Sequence, residues 1–168
     1  MLTVRPEAPA DHEAIHRIHC AAFPSDAEAL LVQALRQQAS PLISLVAEQD
    51  SLICGHILFS PVQLNCAEDS LIMGLAPMAV EPAQQSRGIG SQLVSAGLTA
   101  CRELGAIAVV VLGHPRYYPR FGFRAASDFG LDCDYEVPAE AFMALELQPG
   151  SLAGKSGTVQ YHPCFGAL

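Results

Sequence analysis

Residues 78–112 constrain the fold of this 168-residue chain more than any other stretch. An apolar strand ending at Met78-Ala79-Val80 leads to the polar turn Gln85-Ser86-Arg87-Gly88-Ile89-Gly90. A helix is expected over residues 91–104, where Leu93, Ala96, Gly97, Ala100 and Leu104 recur at three- and four-residue intervals. Gly105 ends it. Residues 106–112 then form a Val-rich run of the kind that is buried on both faces of a sheet. Strand, helix and strand in that order make a crossover, so the chain is expected to fold as an α/β or α+β sheet.

The flanking sequence is consistent with this. Residues 3–5 read as a short strand stopped by Pro6, and Pro9-Ala10-Asp11 offers helix-start chemistry. Ile15, Ile18, His19 and Ala22 repeat at helical spacing up to Phe23-Pro24. Ser25 or Asp26 can cap a second helix carrying Leu30, Leu31, Ala34 and Leu35, which Pro41 closes. Strands are expected at 42–47, 52–60 and 71–80, with a polar turn at Gln49-Asp50-Ser51, and later near 129–134, 142–147 and 157–161. No repeat, linker or low-complexity stretch interrupts the chain, which reads as a single domain over residues 1–168.

Composition excludes several functions. Half the residues (51%) are hydrophobic, too many for a disordered chain. The formal charge of -8 disfavours nucleic acid and anionic membrane surfaces as partners. The charge is uneven, however. Residues 1–80 carry three Arg against nine acids, and residues 125–168 one Lys against six. Residues 81–124 carry five Arg (Arg87, Arg102, Arg116, Arg120, Arg124) against Glu81 and Glu103, a net of +3. The six cysteines stand about 12 to 35 residues apart, with no C-x-x-C pair and no metal-ligand spacing with histidine, so they are expected to be reduced thiols. The N-terminus has no signal-peptide pattern, and the longest apolar runs are about half a membrane span. A cytoplasmic protein without a metal is expected.

The turn at 85–90 lies at the expected start of a helix, where the first N–H groups have no intrahelical partner and the dipole is positive. Glycines at 88 and 90 let a ligand approach the backbone closely. Such a turn is an anion site suited to a diphosphate, with Arg87 adding charge beside it. A plain Gly-rich helix start is the bland alternative. A dinucleotide fingerprint fits less well, because Leu93 and Val94 stand where its third small residue belongs and Gly113-His114 supplies no acid for a ribose.

Taken with its neighbours, the turn resembles the acyl-CoA-binding motif Q/R-x-x-G-x-G/A of the GNAT N-acetyltransferase superfamily. Residues 75–80, continuing into Ala79-Val80-Glu81-Pro82, resemble that family's fourth strand. Tyr117-Tyr118-Pro119-Arg120-Phe121-Gly122-Phe123 resembles its Y-x-x-x-G-F signature. The resemblance implies a mixed central β-sheet flanked by helices, with strands 4 and 5 splayed apart. Pro77, which cannot donate to a sheet ladder, suits the break.

It further implies an N-acetyltransferase in which an amine attacks acetyl-CoA directly. Met78, Ala79 and Val80 would offer main-chain partners to pantetheine and to the thioester carbonyl. Gln85, Ser86, Arg87, Gly88, Ile89, Gly90 and Ser91 would cradle the pyrophosphate. Tyr118 would protonate the leaving thiolate, with Tyr117 as its rival. His56, His114, Glu48 or a water relay could serve as base. The Asn often found before that Tyr is not recognisable here, and His114-Pro115-Arg116 occupies the approach. A longer acyl chain and a non-catalytic acyl-CoA-binding module are the alternatives. The acceptor amine is unspecified, and a homodimer is compatible because family members commonly dimerise. Tyr161-His162-Pro163-Cys164-Phe165 reads as the end of a last strand packed on the core, or else as acceptor-pocket lining.

Overall fold

The computed structural model describes residues 1–167. Nine strands and three α-helices are present among them: β1 (Leu2–Pro6), α1 (His12–Ala22), α2 (Ala27–Gln38), β2 (Ile43–Gln49), β3 (Leu52–Leu64), β4 (Ile72–Val80), α3 (Ile89–Leu104), β5 (Ala108–Leu112), β6 (Arg124–Ala125), β7 (Leu131–Cys133), β8 (Phe142–Glu146) and β9 (Gly157–Gln160). The strands form a mixed sheet, as the crossover and the resemblance lead one to expect. Close contacts divide the chain into two compact units. One comprises residues 1–60, 76–97 and the stretch from Pro163, and the other residues 61–75 and 98–162.

In the first unit β1, β2 and β3 pair antiparallel. Asp50 and Ser51, with φ of 53° and 65°, make the two-residue turn between β2 and β3. Positive φ at both positions is what a tight hairpin turn requires. The Arg5 guanidinium grips Asp11 with two bonds of 2.7 and 3.1 Å, and Asp11 also accepts the Ala8 N–H at 2.7 Å. The turn before α1 is thereby fixed to β1. Helix α1 buries Ile15, Ile18 and His19, while α2 buries Leu31, Val32 and Leu35. Two glycines allow the first turns of α3 to press on β3. A Cβ on Gly97 would lie 2.2 Å from the Phe59 ring, and one on Gly55 3.0 Å from Leu93. Neither distance is tolerable without movement.

In the second unit β4 pairs parallel with β5, from Ile72↔Ala108 to Leu75↔Val111. The register ends there, one residue before β5 itself ends at Leu112. Antiparallel pairing continues from β5 to β8 and from β8 to β6. Val62, Ile72, Val110, Leu131, Phe142 and Val159 belong to the core of this unit, with Tyr161 packed against it. The packing reading of Tyr161 therefore holds, while Pro163–Ala167 form a 3-10 helix in place of more strand.

Sequence and structure differ in several bounds. Strand β3 runs past Ser60 to Leu64, where Gln63 and Leu64 pair with β9 beyond Pro61. Helix α3 starts at Ile89, two residues earlier than the periodicity alone suggests. The expected strand at 129–134 shortens to three residues, since Ala126–Phe129 form a 3-10 helix. The two-residue β6 is too short to leave a periodic signal.

Candidate active site

The turn before α3 is built by consecutive residues. Glu81 N–H donates to Cys54 O at 2.8 Å, anchoring the exit of β4 to β3. Gln85 Nε2 donates to Val80 O at 3.1 Å, and Arg87 Nη1 to Gln84 Oε1 at 3.2 Å. Ser86 has φ 66° and Gly88 φ 83°. A left-handed serine costs roughly 1–2 kcal/mol, a strain worth reading as functional when it sits at a helix start. The first bond from α3 back to the turn is Gln92 N–H to Gly88 O, at 3.1 Å. The N–H groups of residues 88–90 precede it and lie outside the helical ladder.

Gln85, Ser86, Arg87 and Gly88 are all exposed, and a Cβ placed on Gly88 would meet nothing within 4 Å. Ile89 is buried and pins the turn from below. The result is an exposed cradle of amides at the positive end of a helix, with a guanidinium beside it. Those donors fit a diphosphate. Upstream on β4, Ala79 is buried while Met78 and Val80 are half-buried, so alternate residues face opposite ways along this strand. Nine of the ten expected site residues below 100, Met78–Val80 and Gln85–Gly90, thus flank one strand-to-helix connection, and Ser91 is the third residue of α3.

Tyr117 and Tyr118 belong to the second unit. Tyr118 is 8% exposed, and its ring meets Tyr117 edge-on at 5.0 Å and Phe123 at 5.6 Å. Burial, helped by the neighbouring Tyr117, pushes its hydroxyl up to about 12. Gly113 makes room for this ring, since a Cβ there would stand 2.3 Å from Tyr118 Cε2. Tyr117 is half-buried under the Arg120 guanidinium, which lies 4.4 Å over its ring. The two tyrosines are therefore not equivalent: Tyr118 is locked in a close-packed slot, and Tyr117 is covered by the exposed Arg120, whose Nε also donates to Tyr117 O at 2.9 Å. Sequence analysis did not foresee the part Gly113 plays.

The expected base candidates separate. His114 is exposed, and Glu48 is held by Arg5 at 3.4 Å. His56 is fully buried in a polar chain whose other members, Glu7, Ser44 and His19, were not among the functional residues expected from the sequence. His56 Nε2 lies 2.7 Å from Ser44 Oγ, and His56 Nδ1 lies 2.8 Å from His19 Nε2. Ser44 Oγ donates to Glu7 Oε1. Arg36 grips Glu7 with bonds of 2.8 and 3.1 Å, and His12 meets it at 2.9 Å. Hydrogen bonds from His56, Arg36 and Ser44 hold the Glu7 carboxyl far below its usual value despite burial. Burial lowers His19 to about 3 and also lowers His56, on which Glu7 acts in the opposite direction.

A mixed sheet whose β4 and β5 pair parallel, with an exposed turn leading from β4 into α3, is the arrangement expected of a GNAT acetyltransferase. Comparison with known proteins agrees. A family model described as an acetyltransferase (GNAT) domain matches residues 3–126. The uncharacterized N-acetyltransferase YhbS of Escherichia coli K12 is 38% identical over 165 residues, covering 98% of both chains. A second uncharacterized N-acetyltransferase of that organism, YjhQ, is 37% identical over 86% of this chain and 84% of its own. The crystal structure of E. coli YhbS in complex with CoA superposes with a TM-score of 0.92, over 98% of this chain and 92% of that one. A GNAT acetyltransferase from Brucella melitensis, in complex with acetyl-CoA, is 36% identical with a TM-score of 0.80 over 98% of each chain. The chain belongs to the GNAT family of N-acetyltransferases.

Proposed function

We propose that this enzyme transfers the acetyl group of acetyl-CoA to a primary amine of a small molecule or peptide by direct attack. The observation that carries the donor half is the exposed Ser86–Gly88 turn, with two left-handed residues ahead of α3. The CoA complexes of the YhbS and Brucella relatives support it. Main-chain groups of Met78, Ala79 and Val80 would receive the pantetheine arm and polarise the thioester carbonyl, a use of preorganised donors that needs no reorganisation during reaction. Residues Gln85 to Ser91 would hold the pyrophosphate, with Arg87 supplying formal charge. Tyr118 would return a proton to the leaving thiolate. A hydroxyl at about 12 is fully protonated at neutral pH, so it is a ready donor, though a less acidic one than an exposed tyrosine.

A single acetyltransferase domain in a cytoplasmic setting completes the proposal. All six cysteines are free thiols, which suits a reducing compartment. No described helix is long and apolar enough to cross a membrane.

Thiol release from acetyl-CoA across a panel of primary amines tests the reading, with Tyr118→Phe and Tyr117→Phe compared in parallel. Tyr118→Phe is expected to lower kcat about 100-fold while CoA affinity is retained. An equal effect of both substitutions would remove Tyr118 from the role of acid. A wild-type protein that binds CoA calorimetrically but turns over no amine would favour the binding-module alternative.

A further inference from the structure

A cavity of about 180 Å³ opens in the second unit, lined by Leu131, Tyr135, Val137 and Phe142, with Ser127 and Asp132 among its polar groups. Leu131 and Phe142 are buried and give it an apolar floor, whereas Tyr135 and Val137 are large apolar side chains left exposed at its mouth. An open hollow with apolar walls and few polar groups has the make-up of a ligand site, and this one is small enough to take only a single ring or a short alkyl chain.

The cavity is tied to both strands of the parallel pair. Its lining residues Ala139 and Phe142 bracket Ala141, whose carbonyl accepts the Gly113 N–H at 2.9 Å. Gly113 is the residue against which the Tyr118 ring rests, and Phe142 is paired with Leu112 at the end of β5. From the other side, the Tyr135 ring lies 5.9 Å from that of Tyr161. Tyr161 in turn covers Gly74 of β4, where a Cβ would stand 2.9 Å from its Cε2. The hollow therefore adjoins the end of β5 that carries the proposed acid.

Its charge is one-sided. Residues 126–141 hold five acids (Asp128, Asp132, Asp134, Glu136 and Glu140) and no Lys, Arg or His. Among the described residues only Asp128 is offset, by Arg124 at 3.3 Å. Lys155, in the stretch before β9, is engaged with Ser151 O at 2.9 Å. Exposed acids around a low-dielectric hollow draw in cations and repel carboxylates.

We propose that this cavity receives the body of the acceptor, and that the acceptor is a primary amine on an apolar aryl or alkyl group with no carboxylate beside its nitrogen. The proposal rests on the acetyl-transfer reading above and narrows its acceptor. The apolar floor accounts for the uncharged body, and the acids account for the exclusion of amino acids, which would carry a like charge into the same field.

Thiol-release assays on the full-length protein with phenethylamine, ethylamine and phenylalanine test this. Phenethylamine should exceed each of the other two in kcat/KM by about tenfold or more. Ala139→Phe, which fills the cavity, should bring the preference over ethylamine close to one. Asp132→Asn, at an exposed position, should cut the preference over phenylalanine about threefold or more. Calorimetric CoA affinity within twofold of wild type identifies the variants that are folded. In saturation-transfer NMR, phenethylammonium should give signals with the wild type that Ala139→Phe abolishes. Phenylalanine used as well as phenethylamine, or an unchanged preference in a folded Ala139→Phe enzyme, would overturn the cavity assignment and leave acetyl transfer standing. Absence of phenethylammonium binding to the wild type would do the same. A wild type that binds CoA and phenethylammonium yet releases no thiol with any amine would instead overturn acetyl transfer, and the acceptor role with it.

Discussion

The Gln85–Ser91 turn and the Glu7–Ser44–His56–His19 chain use polar groups in opposite ways. The turn holds its donors outward, on exposed residues, with an open approach over Gly88. The chain hides its groups completely at both histidines and links them to one another, although His19 Nδ1 has no partner. Exposed donors contribute little to stability because water competes for them, and they are available to a ligand for the same reason. Buried donors cannot be removed singly without leaving a partner unpaired. The first region should therefore tolerate substitution and lose ligand, and the second should lose stability.

The largest expected effect is at Glu7. Glu7→Ala strips Arg36, Ser44 and His56 of their common partner and should lower unfolding free energy by about 3 kcal/mol in urea titration. A loss no larger than that of a surface substitution would break the distinction between the two regions.

Next comes pH. His19 is depressed to about 3 in the folded protein and His56 is depressed as well, so below about 6.5 the unfolded chain binds more protons, for His19 down to about 3. Their contribution is complete above pH 6.5 and falls as pH drops, by up to about 1.4 kcal/mol per unit for each histidine. Glu7, also depressed, adds the same sign below its usual carboxylate value. Thermal denaturation at pH 7 and pH 5 should show the decline, and His19→Gln should flatten it. A stability that rises on acidification would contradict the neutral pair.

Gly88→Ala should cost about 1 kcal/mol through its positive φ, with room for the methyl itself. The smallest stability effect belongs to Arg87→Ala, expected within about 0.5 kcal/mol of wild type because its guanidinium is exposed. Its CoA affinity should nonetheless fall about 5- to 10-fold by calorimetry. An unchanged affinity would remove Arg87 from the phosphate site and narrow the contrast to the backbone alone.

Each region was legible to a different degree. The turn was readable because its glycines, its arginine and the following helix are adjacent, so local spacing carries the geometry. Tyr118 was singled out by a motif that is also contiguous, whereas the close fit of its ring against Gly113 was not legible there. The polar chain left no such trace. Glu7 was one of nine acids in residues 1–80, Ser44 one residue of an expected strand, and His19 one position on an expected helix face.

Periodicity and turn chemistry by themselves gave the strand–helix–strand crossover and pointed to an anion site at its turn, since each depends on residues within a few positions of one another. The mixed sheet followed from the resemblance that the contiguous motifs carry. The tertiary structure alone decided which titratable groups meet in the dark. Glu7, His19, Ser44 and His56 come from β1's exit, α1, β2 and β3, and only the packing of α1 on the β1–β2–β3 sheet sets them within hydrogen-bond reach. A hydrogen bond needs its partners placed to a few tenths of an ångström, and no spacing along the chain encodes that for residues so far apart.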